Sequence, residues 1–377
     1  MHVLILPSWY PTESDPVRGC FFREQAEALA QSGLRVSVFP YYADLPKGVR
    51  TDRTDRGERM TEYAIHYAPL PMHLTYFRLL GAMAGLLRSM PAGDRPDVIH
   101  VHSFQAARYA LGLKKLFGLP VVITEHATWF ERGLLSEKTL AAVRRSYAGA
   151  DAMIAVSSGL REVIAPYYPG EITVIPNMVS ELFFARERRP IPPTPFRFAA
   201  VGSMQQKKGI DLLLKAFAGA AETGADVRLT VCGGGEELET YRKLAENLAL
   251  GERVTFTGQI SREECARVLS ESHAFVLPSR TETFGVVYAE AMACGLPIIM
   301  TKTNAWRELV TEKTGLAVEI EDVPGLRDAM LALIKNYETY DAGEIRTFCR
   351  ERYSGESVCA RLKEIYDSAA SAAGKRA

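Results

Sequence analysis

Strand-like and helix-like segments alternate along this chain in two runs, which a proline-rich stretch separates. The first run opens with a strand predicted at Val3–Leu6, a helix at Phe21–Gln31 and a strand at Arg35–Pro40. This order is typical of a doubly wound parallel sheet, in which ligands bind at the carboxyl ends of the strands. Further strands are predicted at Asp97–His102, Pro120–Glu125, Ala152–Val156 and Ile172–Pro176.

The stretch Arg186–Pro195, RERRPIPPTP, holds four prolines and no apolar periodicity, so it reads as a semi-rigid linker. After it the alternation restarts, with strands predicted at Phe196–Val201, Val227–Cys232, Val254–Phe256, Ala274–Leu277, Ile298–Thr301 and Leu316–Val318. We therefore predict an α/β protein of two Rossmann-like domains with a cleft between them. Residues 1–185 form the first domain, 186–195 the linker and 196–355 the second domain. Residues 356–377 form a helix that crosses back to the first domain.

Composition narrows the class of protein. The 377 residues carry 45 basic and 45 acidic side chains, and this balance gives no support for nucleic-acid binding, which needs clustered positive charge. The six cysteines form no CxxC pair, so neither a zinc knuckle nor a disulfide scaffold is indicated. The N-terminal apolar run is short and ends at a proline, unlike a secretory signal. We expect a cytoplasmic protein; the sequence assigns no oligomeric state.

Two segments of the first domain each allow two interpretations. Lys47–Met60 is charged and turn-rich, and we interpret it as an excursion from the fold. Its arginines recur every three residues but alternate with Asp and Glu, which favours a solvated face over an anion-binding surface. His73–Met90 is a strongly apolar helix candidate, shorter than a membrane span of about 20 residues. A core helix is the better interpretation, and shallow peripheral membrane contact is the second.

Histidines lie near two strand ends of the first domain. His100 and His102 project to one face because side chains alternate along a strand, and His126 follows the next strand. Neither HExxH nor a carboxylate cluster accompanies them, so we predict no metal site. At the carboxyl end of its strand, His126 is instead a candidate substrate contact.

The second domain holds the stretch LPSRTETFGVVYAEAMACGLP, residues 277–297. Glu282 lies in a polar loop and Glu290 in the helix that follows. Between them Phe284 and Gly285 stand where the helix should begin, and unsatisfied N–H groups at a helix start bind phosphate. A loop that offers carboxylates to hydroxyl groups and backbone amides to phosphate suits a nucleotide-sugar, which carries both groups.

Two glycine-rich loops precede that stretch. The loop 202–209, GSMQQKKG, places Lys207 and Lys208 before a helix, where a lysine can neutralise a diphosphate. It is not a P-loop, because GxxxxGK[ST] is absent. The second loop, Gly233–Gly235, follows a strand and is weak evidence when taken alone.

Together these motifs resemble the retaining, metal-independent nucleotide-sugar glycosyltransferases of the GT-B fold, specifically family 4. The resemblance spans nearly the whole chain. The segments that carry it are SDPVRGCFFREQAEALAQSGLRVSV, VIPN, VGSMQQKKGIDLLLKAF, VCGGGEE, VTFTGQI and ETFGVVYAEAMACGLP.

The resemblance implies roles for particular residues. Lys208 matches the lysine that binds the donor diphosphate, Glu282 the glutamate near the transferred sugar, and Glu290 the glutamate that holds the ribose. The remaining matches are His126 facing the reacting centre, Gly19 in the first-domain glycine loop, and the backbone amides of Phe284 and Gly285 at sugar or phosphate groups. Ser203 replaces an arginine common in the family, so Lys207 or Arg280 is expected to assist Lys208. Base contacts are expected around Gly233, Gln259 and Ile260.

The implied reaction is front-face sugar transfer with retained anomeric configuration, without a cofactor, metal or protein nucleophile. A UDP-sugar is the favoured donor and GDP-mannose the next, with a glycan or lipid-linked acceptor of surface polysaccharide biosynthesis at the inner face of the membrane. The alternatives are a catalytically silent nucleotide-sugar-binding subunit and a GT-B-like epimerase or phosphorylase. A glycoside hydrolase is disfavoured because Glu282 and Glu290 do not flank one bond, and a dehydrogenase because GxGxxG does not follow the first strand.

Overall fold

A computed structural model describes residues 1–127, 129–130, 133, 135–186 and 191–374. It divides the chain into two compact units. The described residues of the first unit lie within 1–156, 160–178 and 355–374, and those of the second lie within 157–159 and 179–354.

The first unit is built on a sheet whose described strands number nine, in the order β3-β5-β2-β1-β6-β7-β8-β9, with β4 paired to β5. The strands are β1 (His2–Pro7), β2 (Arg35–Val38), β3 (Tyr41–Tyr42), β4 (Val49–Asp55), β5 (Met60–Tyr67), β6 (Val98–His102), β7 (Val121–Glu125), β8 (Ala152–Ala155) and β9 (Ile172–Val174). The helices along this part of the chain are α1 (Cys20–Gln31), α2 (Met72–Ser89), α3 (Phe104–Phe117), α4 (Glu137–Ala148) and α5 (Ser158–Ile164). Strands β1, β6 and β7 are buried along their whole length, as expected for a parallel sheet covered on both faces.

The interpretation of Lys47–Met60 as an excursion is wrong. Strand β4 pairs antiparallel with β5, from Val49 opposite Tyr67 to Asp55 opposite Thr61. All residues of β4 are exposed, so its sequence shows no apolar alternation from which a strand could be predicted. The arginines lie on a solvated face, as predicted, and Arg50 and Arg53 pair with aspartates of their own strand.

Helix α2 has a buried stripe, formed by Thr75, Leu79, Met83, Ala84 and Leu87, which confirms its interpretation as a core helix. Gly112 of α3 allows α2 to approach closely, because a Cβ there would lie 2.8 Å from atoms of Leu80 and Tyr76. In the described part of the chain, no helix has both the length and the hydropathy required to cross a membrane.

The C-terminal helix α14 (Gly355–Gly374) completes the core of the first unit. Its residues Val358, Leu362 and Tyr366 are buried in the same cluster as α1 and the central strands. The Tyr366 hydroxyl lies 2.7 Å from His100 Nδ1, so the helix is joined to β6 by a buried hydrogen bond as well as by apolar packing.

The second unit is built on a parallel sheet in the order β12-β11-β10-β13-β14-β15. The strands are β10 (Phe196–Val201), β11 (Val227–Cys232), β12 (Val254–Gly258), β13 (Ala274–Leu277), β14 (Ile298–Thr301) and β15 (Gly315–Val318). The helices are α6 (Glu181–Phe184), α7 (Ile210–Glu222), α8 (Leu238–Asn247), α9 (Arg262–Ser270), α10 (Val286–Ala293), α11 (Trp306–Leu309), α12 (Val323–Lys335) and α13 (Ala342–Tyr353). The strand order changes direction beside β10, which makes the carboxyl ends of β10 and β13 the place where this topology binds ligands.

The chain enters the second unit earlier than the sequence-based boundary at residue 185. Residues 179–185 belong to that unit, because Phe183 and Phe184 are buried and pack with α6 against α9 and α10. The Arg346 guanidinium of α13 donates to the carbonyl oxygens of Phe184 and Arg186. Residues 187–190 of the predicted linker lie outside the described residues.

Candidate functional site

Three loops meet at the carboxyl edge of the second-unit sheet, after β10, β11 and β12. The Gly202 N–H donates to the Cys232 carbonyl at 3.0 Å, and the Gly233 N–H donates to the Gly258 carbonyl at 2.9 Å. A Cβ on Gly233 would lie 1.9 Å from the Gly202 carbonyl oxygen. The contact therefore requires glycine at position 233, and the two predicted glycine loops form one backbone surface.

Lys208 returns to this surface by way of a short 3₁₀ helix, Gln206–Lys208. Its aliphatic chain lies against Gly202, about 3.5 Å from where a Cβ would stand. Its Nζ lies 2.5 Å from Oε2 of Glu282, in the loop between β13 and α10. The side chains are only 14% and 12% exposed, so the structure brings two predicted site residues into one nearly buried ion pair.

The start of α10 lies directly after Glu282. Gly285 is the N-cap, with a φ of 80°, and a Cβ there would lie 2.9 Å from Glu282 Cγ and 2.6 Å from the Tyr288 ring. No side chain caps α10, so its first N–H groups offer the anion-binding end of a helix, as predicted. Phe284 is buried and packs against Tyr353, which holds the loop in place.

Glu290 lies one helical turn further along α10, with its side chain 4% exposed. Its Oε1 accepts from the Arg262 guanidinium at 2.9 Å. Arg262 also lies over the Phe183 ring, at 5.0 Å from its centroid. The carboxylate predicted to hold a ribose is thus fixed by a cation at the start of α9.

The guanidinium of Arg280 is held by carboxylates. It forms two 2.8 Å hydrogen bonds with Asp211 and a further one with Glu321. Its backbone N–H donates to the Lys207 carbonyl at 2.7 Å. These contacts tie the loop after β13 to the start of α7, and they favour a positioning role; the predicted contact of Arg280 with diphosphate stays a prediction.

The other predicted donor contacts lie around the same edge. Ser203 is exposed in the loop after β10, and Lys207 is half-buried next to Lys208. Gln259 and Ile260 follow β12, and the Gln259 side chain lies 3.5 Å from where a Cβ of Gly234 would stand. Their roles stay predictions.

In the first unit, His126 lies at the carboxyl end of β7, as predicted. The Nε2 atom of His126 lies 3.0 Å from the Nδ1 atom of His102, and the two rings share a hydrogen bond. The Asn177 side chain also forms a hydrogen bond with the His126 ring. Burial lowers the pKa of His126 to about 3, so its ring is neutral at physiological pH. Gly19 is the N-cap of α1 and lies against Trp9.

Two site residues escaped the sequence analysis. Asp211 lies three residues after Lys208 in the same motif. Its role could not be predicted because the sequence does not show that Asp211 lies close to Arg280. Arg262 follows the N-cap Ser261 and has no distinguishing pattern. Among the described residues, no group of three or more His, Cys, Asp or Glu is placed to hold a metal ion.

Comparison with known protein families identifies the family to which this chain belongs. Residues 21–181 match the model "Glycosyltransferase Family 4", and residues 183–344 match the model "Glycosyl transferases group 1". The chain belongs to the family 4 glycosyltransferases. The resemblance to family 4 inferred from the motifs is thereby confirmed, and the retaining, metal-independent reaction stays a prediction.

Individual relatives agree with the family. The chain is 27% identical to the D-inositol 3-phosphate glycosyltransferase of Pseudarthrobacter chlorophenolicus, over 93% of this chain and 89% of that protein. It is 30% identical to the glycogen synthase of Mycobacterium tuberculosis, over 64% of this chain. That match spans 60% of the length of the glycogen synthase.

Solved structures support the fold. Sucrose-phosphate synthase from Thermosynechococcus elongatus aligns with a TM-score of 0.81 at 22% identity, over 99% of this chain and 100% of that chain. Anabaena HepE in complex with UDP aligns with a TM-score of 0.76 at 17% identity, over 98% and 100%. The family 4 glycosyltransferase described here therefore has the two parallel-sheet domains of the GT-B fold.

Proposed function

We propose that this glycosyltransferase moves a hexosyl group from a nucleotide-sugar to an acceptor hydroxyl, with retention of anomeric configuration and without a metal ion. The observation that carries the proposal is the Lys208–Glu282 ion pair beside the uncapped start of α10. It places a cation, a carboxylate and helix N–H groups within one loop system. A nucleotide-sugar needs these groups side by side, because its diphosphate binds a cation and N–H groups and its sugar hydroxyls bind a carboxylate.

Negative charge develops on the diphosphate as the bond to the sugar breaks. An ammonium carries three donor hydrogens, so the bond from Lys208 to Glu282 leaves capacity for phosphate oxygens. The N–H groups after Gly285 add fixed partial positive charge at the helix start. Such preorganised donors stabilise developing charge in a site from which water is partly excluded.

The proposed donor is a UDP-sugar, with GDP-mannose as the second candidate. The support is a shared fold with Anabaena HepE, which was solved with UDP. Glu290 would bind the ribose hydroxyls, because its carboxylate is held at a fixed position by Arg262. The proposed acceptor is a glycan or a lipid-linked sugar of surface polysaccharide synthesis, reached from the cytoplasmic side.

The first test is the thermal midpoint of the purified protein with UDP, GDP, ADP or no nucleotide, measured once in EDTA and once with a divalent cation in place of EDTA. A ligand that binds only the folded state raises the midpoint by mass action. A shift with UDP alone, retained in EDTA, supports the proposed donor class and metal independence. A shift that requires a divalent cation contradicts metal independence.

The second test is transfer itself. The nucleotide-sugar selected by the first test is incubated with candidate acceptors, and the anomeric configuration of the product is read by NMR. A product with the configuration of the donor supports retention. Sugar release in the absence of an acceptor supports an epimerase or phosphorylase, and binding without any turnover supports a silent subunit.

A further inference from the structure

The start of α2 exposes an unusual amount of apolar surface. Leu70, Met72, Leu74 and Phe77 are 38%, 69%, 44% and 66% exposed, respectively. The opposite stripe of α2 is buried in the core of the first unit. Helix packing therefore accounts for one side of α2 and leaves its first two turns with large apolar side chains in solvent.

The charged side chains of α2 and α3 are all basic. Helix α2 contains Arg78 and Arg88, and helix α3 contains Arg108, Lys114 and Lys115. Neither helix contains Asp or Glu. The whole segment 63–93 is free of carboxylates, although the chain as a whole has equal numbers of acidic and basic residues. These two helices therefore carry a local excess of positive charge, although Lys114 is paired with Asp151.

A groove of about 350 Å³ lies between α2, α3 and α4. It is lined by Tyr76, Arg108, Leu111, Gly112, Lys115, Ala142, Arg145 and Ser146. Lys115 and Arg145 are exposed, and among the described residues neither forms an ion pair with a carboxylate. Tyr76 joins the groove to the apolar residues, because its ring lies 5.3 Å from that of Phe77.

We propose that these residues form a docking surface for an anionic phospholipid bilayer. The α2–α3 surface, as we call it, consists of Leu70, Met72, Leu74 and Phe77 with the groove of Lys115 and Arg145. The apolar side chains would enter the interfacial region of the bilayer, and the groove would take a headgroup phosphate. Apolar burial combined with attraction to anionic lipid is the physical basis of interfacial helix binding.

The charge pattern favours a bilayer over a second copy of the chain. A two-fold dimer through this surface would bring like charges together without a carboxylate to pair them, which is destabilising. A free phosphate would account for the groove but not for exposed Phe77 and Met72. The proposal does not depend on the identity of the donor or on the reaction.

The test is co-sedimentation with vesicles of phosphatidylcholine alone and of phosphatidylcholine with one third phosphatidylglycerol. We expect the wild-type protein to bind the anionic vesicles and to be released as salt is raised, because salt screens the attraction. Two variants separate the parts of the surface: Lys115→Ala with Arg145→Ala, and Met72→Ser with Phe77→Ser.

The matched control is Arg50→Ala with Arg53→Ala, which removes the same charge from β4, where each arginine pairs with an aspartate. We expect the groove variant to bind about 25-fold more weakly, at about fivefold per cation. We expect the apolar variant to bind at least about tenfold more weakly, because it loses the buried area of two large side chains. The control should bind like the wild type.

Three results would overturn the proposal. The first is wild-type protein that stays in the supernatant or binds neutral vesicles equally well. The second is an equal loss of binding in the groove variant and the β4 control. The third is a dimer, measured by light scattering without lipid, that becomes a monomer in the apolar variant. Circular dichroism of each variant checks that the fold is retained.

Discussion

Lys208 donates a 2.5 Å hydrogen bond to Glu282 across 74 residues of sequence, and both side chains are nearly buried. The loop after β10 and the loop after β13 are therefore joined by opposite charges at the edge of one sheet. A phosphate that approaches Lys208 also approaches the start of α10. This relationship is the centre of the proposed donor site.

We predict that Lys208→Ala lowers kcat/KM for transfer by at least about 100-fold, since the loss of one donor aimed at developing negative charge has that effect in other enzymes. We expect a comparable loss for Glu282→Ala. Initial-rate kinetics provide the measurement, with circular dichroism to check the fold. The control is Lys243→Ala, which removes an exposed lysine from α8 of the same unit. Wild-type turnover in either site variant would refute the assignment.

We predict that Arg262→Ala lowers the free energy of unfolding by about 2 kcal/mol, because it leaves the Glu290 carboxylate buried without its cation. This value is smaller than that expected for a fully buried ion pair, because Arg262 is partly exposed to solvent. Urea unfolding measures the change. Arg267→Ala is the control, since Arg267 lies on the same helix and pairs with Glu264 and Glu271 at the surface. There we expect a change below about 1 kcal/mol. Equal losses in the two variants would contradict the structural role of the pair.

We predict that Gly233→Ala lowers the free energy of unfolding by at least about 3 kcal/mol, because the new Cβ would force the two glycine loops apart. Nucleotide binding should weaken with it. Gly224→Ala is the matched control: its φ is +88°, but nothing lies within 4 Å of an added Cβ. It should cost only about 1 to 2 kcal/mol of backbone strain. If both variants lose the same amount, the loop contact is not what requires glycine.

We predict that the protein loses stability as pH falls below about 6.5. Burial lowers the pKa of His100 and of His126 to about 3 in the folded chain. Between the two pKa values the unfolded chain binds more protons, so acid favours unfolding, by about 2 kcal/mol per histidine at pH 5. The loss is small above about pH 6.5 and grows as pH falls towards 3.

Urea unfolding at pH 7 and pH 5 measures the loss. His100→Gln should reduce the pH dependence, although it also removes the hydrogen bond with Tyr366 and lowers stability at both pH values. His73→Asn, at an exposed position, should leave the dependence unchanged. A wild-type protein that is equally stable at both pH values would show that the buried histidines do not control its acid sensitivity.

Sequence patterns predicted both parallel sheets and most of their strands, because these strands are short, apolar and bounded by loops. They assigned no strand at β3 or β5. They also failed at β4, whose seven residues are all exposed and charged or polar apart from Val49. That strand is defined by its hydrogen bonds to β5, and such a partner cannot be seen in a local pattern. The unit boundary was misplaced for a related reason, since only packing against α9 and α10 shows where Phe183 and Phe184 belong.

The sequence by itself determined the family, the two-part α/β fold and the candidate residues Lys208, Glu282 and Glu290, because motif spacing and glycine positions are local properties of the chain. Only the tertiary structure decided which charges meet. It paired Lys208 with Glu282, Glu290 with Arg262 and Arg280 with Asp211. The physical reason is that ion pairs depend on distances of a few ångströms between residues far apart in sequence, and the folding of the sheet sets those distances.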